Sequence, residues 1–80
     1  MKITVIGAGA IGSAVAADLA SRGEVTQVQI CDARARSLQA LHEQVQSKKF
    51  RSFQLDVRDP NVLEPVIQGS DCVIGCAAPD

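Results

Sequence analysis

Aromatic side chains are almost absent from this 80-residue chain, which has no Trp, no Tyr and two Phe. Proteins that hold single-stranded nucleic acid stack bases on aromatic rings, and Phe50 and Phe53 are too few to build such a surface. Eight Lys and Arg residues against nine Asp and Glu residues give a net charge of −1, without a block of like charge. We therefore expect no nucleic-acid partner and no membrane partner.

Long apolar runs and metal ligands are also scarce. No run reaches the roughly 18 apolar residues of a membrane-spanning helix, and a single His leaves too few ligands for zinc. The apolar stretch after Lys2 ends near a small-residue segment, Ala14–Ala16, but glycines interrupt it, which disfavours a secretory signal. Cys72 and Cys76 share one predicted strand and lie too far apart for a disulfide. We therefore interpret these two cysteines and Cys31 as buried, reduced thiols. Reduced thiols predict a cytoplasmic protein.

Strand-like and helix-like patterns alternate along the whole chain. Runs of β-branched and apolar residues predict four strands, at Lys2–Ile6, Val25–Cys31, Phe50–Val57 and Asp71–Cys76. Helical patterns predict three helices, at Ala10–Arg22 ending at Gly23, at Ser37–Lys49 with a start nearer Ala33 as the alternative, and after Asp59-Pro60 up to Gly69. The order β-α-β-α-β-α-β predicts an α/β fold, a three-layer Rossmann-type half with a parallel four-stranded sheet of order 3-2-1-4.

Three details of these elements carry separate expectations. The apolar and polar residues of Val25–Cys31 alternate, which predicts a strand with one face less buried. The first and last strands are continuous apolar runs, as in central strands covered on both faces. Pro65 removes a backbone hydrogen bond, so we expect the third helix to be short and kinked or partly 3₁₀.

A glycine-rich turn follows the first predicted strand and opens the first predicted helix. Residues 7–12 read GAGAIG, the pattern G-x-G-x-x-G. Gly7 permits the tight turn, Gly9 lets a pyrophosphate approach the backbone, and Gly12 lets the helix pack on the strand. The amide groups of Ala10 and Ile11 would point at the phosphates. The context favours a dinucleotide-binding turn over a plain glycine turn.

Asp32 stands at the end of the second predicted strand, about 20 residues after Gly12. A carboxylate there accepts hydrogen bonds from the adenosine ribose, and an N-cap role for the next helix is the alternative. Its charge repels a 2′-phosphate, so NAD is favoured, while Arg34 and Arg36 leave NADP possible. Ala33 adjoins these residues in the same predicted cofactor-binding segment.

Asp56, at the end of the third predicted strand, reaches the adenine edge in a sheet of order 3-2-1-4. A turn-forming or capping carboxylate is an equally weighted alternative. His42 is predicted to be a surface or packing residue. No Ser-His-Asp, Cys-His or paired-carboxylate group can be assembled, so the sequence predicts a cofactor site without catalytic residues or a metal site.

Several segments together resemble the opening of saccharopine dehydrogenase-like and lysine dehydrogenase-like oxidoreductases. They are the glycine turn with Ser13–Ala20, Ile30–Asp32, Leu55–Pro60 and Gly69–Pro79. The resemblance implies an NAD- or NADP-binding domain, with a separate later domain for an amino-acid substrate. It places Asp56 and Val57 at the adenine, and Cys76, Ala77 and Ala78 on the path toward the nicotinamide. Gly75 departs from the family, in which Asn is commoner.

A second family shares the glycine turn and the acidic residues after strands two and three. These are the NAD-binding regulatory domains of potassium transport systems, which sense a ligand and catalyse nothing. The segment Cys76–Pro79 fits the dehydrogenase pattern better. The sequence therefore favours a dehydrogenase domain, with the sensor as the alternative.

The chain is shorter than a complete dinucleotide fold, which has six strands. We therefore expect residues 1–80 to be the N-terminal dinucleotide-binding domain of a larger protein, itself a homodimer. The last strand would be an open edge, so we expect marginal stability and some self-association through that strand. We expect weak or no nucleotide binding and no turnover by the chain alone.

Overall fold

The computed structural model describes residues 1–76 and contains all seven predicted elements. In chain order they are β1 (Lys2–Ile6), α1 (Ala10–Ala20), β2 (Gln27–Asp32), α2 (Ala35–Gln44), β3 (Phe50–Gln54), α3 (Pro60–Ile67) and β4 (Cys72–Gly75). The four strands form one sheet in the order β3-β2-β1-β4. Every pairing is parallel. The predicted α/β class, sheet order and Rossmann-type topology are confirmed.

The ends of several elements differ from the predictions. Helix α1 ends at Ala20, where the Ser21 backbone N–H and hydroxyl donate to the Asp18 carbonyl at 3.2 and 2.6 Å. Gly23 is therefore not its cap, and it lacks a positive φ. Helix α2 ends well before Lys49, and β3 ends at Gln54 because the chain turns at Asp56.

Helix α3 begins as predicted and continues differently. Asp59 is its N-cap, with a side-chain oxygen that accepts from the Asn61 N–H at 2.9 Å, and Pro60 is its first residue. The helix is short, as expected, and it is α-helical over Pro60–Ile67, so the partly 3₁₀ form given as an alternative is not observed in these residues. One missing N–H near the end of a short helix removes a single bond and leaves the helical backbone in place.

The main core lies between the sheet and the first two helices. Its buried apolar residues come from β1, β2, β3, α1, α2 and nearby turns: Ile3, Val5, Ala8, Ala16, Val25, Val28, Ile30, Leu38, Leu41 and Phe50. Helix α3 contributes no buried residue. Each Å² of apolar surface that these side chains remove from water stabilises the folded state by about 25 cal/mol. This packing fixes the carboxyl ends of β1, β2 and β3 side by side.

Burial of the strands reverses two expectations. Strand β2 is buried on both faces despite its alternating sequence, and the buried Gln29 side chain accepts from the Thr4 hydroxyl at 3.0 Å. Strand β4 lies at the sheet edge, as the predicted sheet order requires, and Val73 is 42% exposed, so the two covered faces predicted from its apolar run are wrong. Strand β2 lies inside the sheet and packs against both α1 and α2, whereas β4 has one neighbouring strand.

Two further observations concern cysteines and membranes. The prediction of three buried thiols holds for Cys31, but Cys72 is exposed and Cys76 is half-buried. Both lie on or just after the edge strand, which explains the difference. Within residues 1–76 no helix is long and apolar enough to cross a membrane. The same residues contain no group of three or more His, Cys, Asp or Glu side chains suited to a metal ion.

Candidate functional site

A cleft of about 600 Å³ opens at the carboxyl ends of β1, β2 and β3. Its lining includes ten of the residues predicted to bind a cofactor: Gly7, Gly9, Ala10, Ile11, Asp32, Ala33, Arg34, Asp56, Val57 and Cys76. Gly12 is a buried residue of α1 and does not line the cleft. Ala77 and Ala78 lie outside the described residues. The fold thus brings four separate chain segments into one site, while their contact with a cofactor stays a prediction.

The first and last glycines of the turn, Gly7 and Gly12, are required by the backbone conformation and the packing of the protein itself. Gly7 has a φ of 103°, a backbone conformation that L side chains rarely adopt. Its N–H donates to the Cys31 carbonyl at 2.7 Å, which joins the turn to β2. A Cβ on Gly12 would lie 1.8 Å from the Gly7 carbonyl oxygen. Gly7 and Gly12 are therefore required by the fold itself.

Gly9 differs from Gly7 and Gly12, because neither its backbone conformation nor its packing requires a glycine. It is the N-cap of α1, with φ −72° and ψ −165°, which any residue can adopt. A Cβ on Gly9 would have the Arg34 Nη2 atom as its nearest neighbour, at 3.8 Å, an ordinary contact. The space in front of Gly9 is part of the cleft. A bare backbone facing an open cleft is what a closely approaching ligand requires.

The start of α1 offers hydrogen-bond donors to the same space. Its first helical bond runs from the Ser13 N–H to the Gly9 carbonyl at 2.8 Å. The N–H groups of Ala10, Ile11 and Gly12 precede that bond and have no helical carbonyl to donate to. Such groups, with the helix dipole behind them, favour an anion.

Asp32 connects the glycine turn to the segment after β2. Its buried carboxylate accepts from the Ala8 N–H on Oδ2 and from the Arg34 N–H on Oδ1, both at 2.8 Å. The Arg34 Nε also lies 3.2 Å from Oδ1. Burial by itself would raise the pKa of Asp32, but the hydrogen bonds from the Arg34 side chain and from the two amides lower it. Asp32 is therefore ionised at neutral pH.

The alternative N-cap role of Asp32 is wrong. The N-cap of α2 is Arg34, without a side-chain cap bond. Asp32 holds the turn instead, and its carboxylate still lines the cleft. Arg36 lies on α2 and does not line the cleft, so of the two arginines considered for a 2′-phosphate, Arg34 is at the site.

Asp56, which follows β3, contacts the arginine two residues later in the chain, as Asp32 does after β2. Its Oδ1 accepts from the Arg58 N–H at 2.9 Å and lies 3.3 Å from the Arg58 Nε. The amide and side chain of Arg58 lower the pKa of Asp56. The turn-forming role considered for Asp56 is observed, and Asp56 also faces the cleft. Sequence reasoning missed Arg58, although the shared pattern Asp-x-Arg after β2 and β3 could have indicated it.

His42 lies away from this site. Its ring packs edge-on against Phe50, with ring centroids 6.0 Å apart, and hydrogen-bonds to the Ser52 hydroxyl. His42 is therefore the packing residue that the sequence predicted.

A profile of the saccharopine dehydrogenase NADP binding domain matches residues 3–79, nearly the whole chain. The chain belongs to this family. Apo histidine-tagged saccharopine dehydrogenase (L-Glu forming) from Saccharomyces cerevisiae is similar in structure, with a TM-score of 0.74 and 27% sequence identity. The match covers 96% of this chain and 16% of the yeast chain. This chain thus spans about a sixth of the yeast enzyme that it matches.

Membership in the family explains the arrangement of the cleft. The chain is a dinucleotide-binding domain of the saccharopine dehydrogenase-like oxidoreductases. Its cleft lies at the carboxyl ends of the strands, the edge at which open α/β sheets bind ligands.

Proposed function

We propose that the chain binds a nicotinamide dinucleotide as part of a larger oxidoreductase, which acts at a carbon–nitrogen bond of an amino-acid-like substrate. The open backbone at Gly9, ahead of the free amides of α1, is the observation that carries the proposal. When bound, the nicotinamide ring supplies the hydride chemistry, and the protein supplies position and electrostatics.

Each part of the proposed ligand has matching residues in the cleft. The N–H groups of Ala10 and Ile11 would hold the pyrophosphate, and Asp32 would accept from the adenosine ribose. Asp56 and Val57 would lie at the adenine. Cys76 would line the path toward the nicotinamide, together with Ala77 and Ala78.

The choice between NAD and NADP depends on the ion pair of Asp32 and Arg34. The Asp32 carboxylate repels a 2′-phosphate, which supports NAD as the preferred cofactor. Arg34 offsets part of that charge, and its side chain is 68% exposed at the cleft. We therefore expect NAD to bind more tightly than NADP by a small factor, with NADP still accepted.

The chain is proposed to bind cofactor without catalysing a reaction. Hydride transfer at an amino-acid carbon needs a proton donor or acceptor within about 3 Å of the reacting group. Among the cleft-lining residues in the described part of the chain, none is Lys or His. A separate substrate domain of the longer protein would supply such groups. We also propose that the longer protein is a cytoplasmic homodimer, and that the chain alone self-associates through β4.

The binding proposal is tested by titrating ¹⁵N-labelled chain with NAD, NADP and nicotinamide mononucleotide, and following the amide resonances. Shifts confined to residues 7–12, 32–34 and 56–58, larger for the two dinucleotides than for the mononucleotide, are expected. Binding by the chain alone is expected to be weak, so the titration extends to millimolar ligand, and shifts scattered over the surface would contradict the site.

The enzymatic proposal is tested on the longer protein. Absorbance at 340 nm follows the reduced nicotinamide while a panel of amino acids is offered with either cofactor. Turnover by the longer protein and none by the 80-residue chain is expected. A longer protein that binds NAD but is inert across the panel would favour the regulatory sensor instead.

A further inference from the structure

The Asp32 carboxylate, which would accept from the adenosine ribose, already has a protein donor at each of its acceptor positions. An ionised carboxylate has about four lone-pair sites. The donors are the backbone amides of Ala8 and Arg34, both at 2.8 Å, and the Nε and Nη2 atoms of the Arg34 side chain, at 3.2 and 3.4 Å. The side chain of Asp32 is only 7% exposed. Ribose hydroxyls therefore cannot bind Asp32 until one of these donors leaves.

The amide donors and the side-chain donors differ in how easily they leave. The Ala8 amide belongs to the glycine turn, where the Gly7 N–H is bonded to the Cys31 carbonyl of β2 at 2.7 Å, and the Arg34 amide belongs to the N-cap residue of α2. Releasing either amide requires the backbone to move. The two side-chain bonds are longer, and the Arg34 side chain is 68% exposed, so it can rotate into solvent without a backbone change. The Arg34 guanidinium is therefore the donor that a ribose can replace.

The same guanidinium also lies beside the glycine turn. Its Nη2 atom is 3.8 Å from the position that a Cβ on Gly9 would take. Arg34, Asp32 and Gly9 line one cleft. The Arg34 side chain thus extends from Asp32 toward Gly9, between the places proposed for the ribose and for the pyrophosphate.

We propose that the Arg34 guanidinium of the free protein occupies the acceptor positions of Asp32 that the adenosine ribose takes in the complex, and that the cofactor displaces it. The assignment rests on the proposed function and deepens it, because it adds a protein group that competes with the cofactor for Asp32. The two amide bonds remain in the complex and hold the carboxylate in place. Two side-chain N–H donors leave and two ribose hydroxyls arrive, so the buried carboxylate keeps its number of hydrogen bonds.

The test measures the Kd of NAD and of an NAD analogue that lacks the 2′ and 3′ hydroxyls of the adenosine ribose. Because the chain alone is expected to bind weakly, the longer protein is used, as wild type and as Arg34→Ala. The backbone N–H of residue 34 remains in the variant, so its 2.8 Å bond to Asp32 is kept. The matched control is Arg36→Ala, which removes an exposed arginine of α2 outside the cleft.

The quantity compared is the Kd of the analogue divided by the Kd of NAD. In the wild type the hydroxyls gain Asp32 at the expense of Arg34, whereas in Arg34→Ala they meet no competitor. The ratio should therefore be about two- to fivefold larger in Arg34→Ala, as expected for the loss of an exposed ion pair. NAD and the analogue carry the same charge, so any attraction between Arg34 and the phosphates cancels in the ratio. Arg36→Ala should give the wild-type ratio.

The outcomes separate the assignment from the proposed function. An unchanged or smaller ratio in Arg34→Ala would overturn the assignment, because Arg34 would then not compete with the hydroxyls. An equal rise in Arg36→Ala would also overturn it, since the loss of any nearby positive charge would then suffice. In both cases NAD still binds, and the proposed function stands. If the longer protein binds neither NAD nor NADP, the proposed function itself fails, and the assignment with it.

Discussion

Gly9 and Gly12 belong to one motif, but the structure predicts opposite consequences when each is replaced by alanine. In Gly12→Ala, the new Cβ would lie 1.8 Å from the Gly7 carbonyl oxygen and 2.8 Å from the Gly7 carbonyl carbon. Both are backbone atoms, so α1 must move away from β1. Overpacking of this kind costs typically 1–3 kcal/mol and occasionally more. Alanine recovers at most about 1 kcal/mol of helix propensity.

Taking the upper end of that range, because both contacts are with backbone, and subtracting the gain in propensity gives an expected loss of about 2 kcal/mol for Gly12→Ala. A chain of 80 residues has a total stability of roughly 4–12 kcal/mol at the usual value per residue. A loss of about 2 kcal/mol lowers the Tm of a domain of this size by roughly 8–16 °C. Thermal unfolding followed by circular dichroism measures this shift.

Gly9→Ala should leave the fold intact and abolish binding. Its Cβ meets only the Arg34 Nη2 at 3.8 Å within the protein, and its backbone angles suit alanine. The free energy of unfolding should change by less than about 1 kcal/mol. The same Cβ occupies the space into which a pyrophosphate would come, so shifts on titration with NAD should disappear.

Gly23→Ala provides the matched control, because a Cβ there has nothing within 4 Å and Gly23 is outside the cleft. It should resemble wild type in both Tm and binding. A Gly9→Ala variant that binds NAD like wild type would refute the placement of the phosphates. A Gly12→Ala variant with an unchanged Tm would refute the packing requirement.

Four other outcomes are expected. Asp32→Ala should reduce or reverse the preference for NAD over NADP, whereas Arg34→Ala should increase it. A change in the same direction in both variants would contradict the opposite effects that we assign to these two charges. Because the pKa of Asp32 is lowered in the folded state, its stabilisation is present above about pH 4 and is lost as the pH falls through the lowered pKa. Asp32→Asn should therefore flatten the fall of Tm in acid, and an equally steep fall would refute this. Burial raises the pKa of Cys31 to about 11, so a thiol reagent at pH 8 should label Cys72 and Cys76 in the folded chain, and Cys31 after denaturation. Val73→Lys should reduce any self-association through β4 in sedimentation measurements, and an unaffected association would indicate a different surface.

The order and type of the elements were readable in the sequence because the signals are local. Strand and helix periods alternate, and Asp59-Pro60 marks the start of α3 through capping and a fixed φ. The glycine turn was readable for the same reason, since its position between a strand and a helix is a property of neighbouring residues. Parallel order then followed from short connections and right-handed crossovers.

Burial was decided by the tertiary structure. The alternating pattern of β2 predicted an exposed face, and the apolar pattern of β4 predicted covered faces. Both were wrong, although the predicted sheet order correctly placed β4 at the edge. Strand β2 has a neighbour on each side, with Thr4 satisfying Gln29, and β4 lies at the edge. Which strand lies inside is set by the sheet order, which a strand's own pattern does not contain.

The partners of the site residues also required the fold. The sequence placed Asp32 at a strand end, but its bond to the Ala8 N–H joins residues 24 apart. That Arg58 lines the same cleft as Asp32 appears once β3 is seen to end beside β2. The sequence motif does not distinguish the roles of Gly9 and Gly12, and only the three-dimensional packing shows that they differ. A Cβ on Gly12 meets the backbone of Gly7, in the turn after β1, whereas a Cβ on Gly9 meets open space that a ligand can fill.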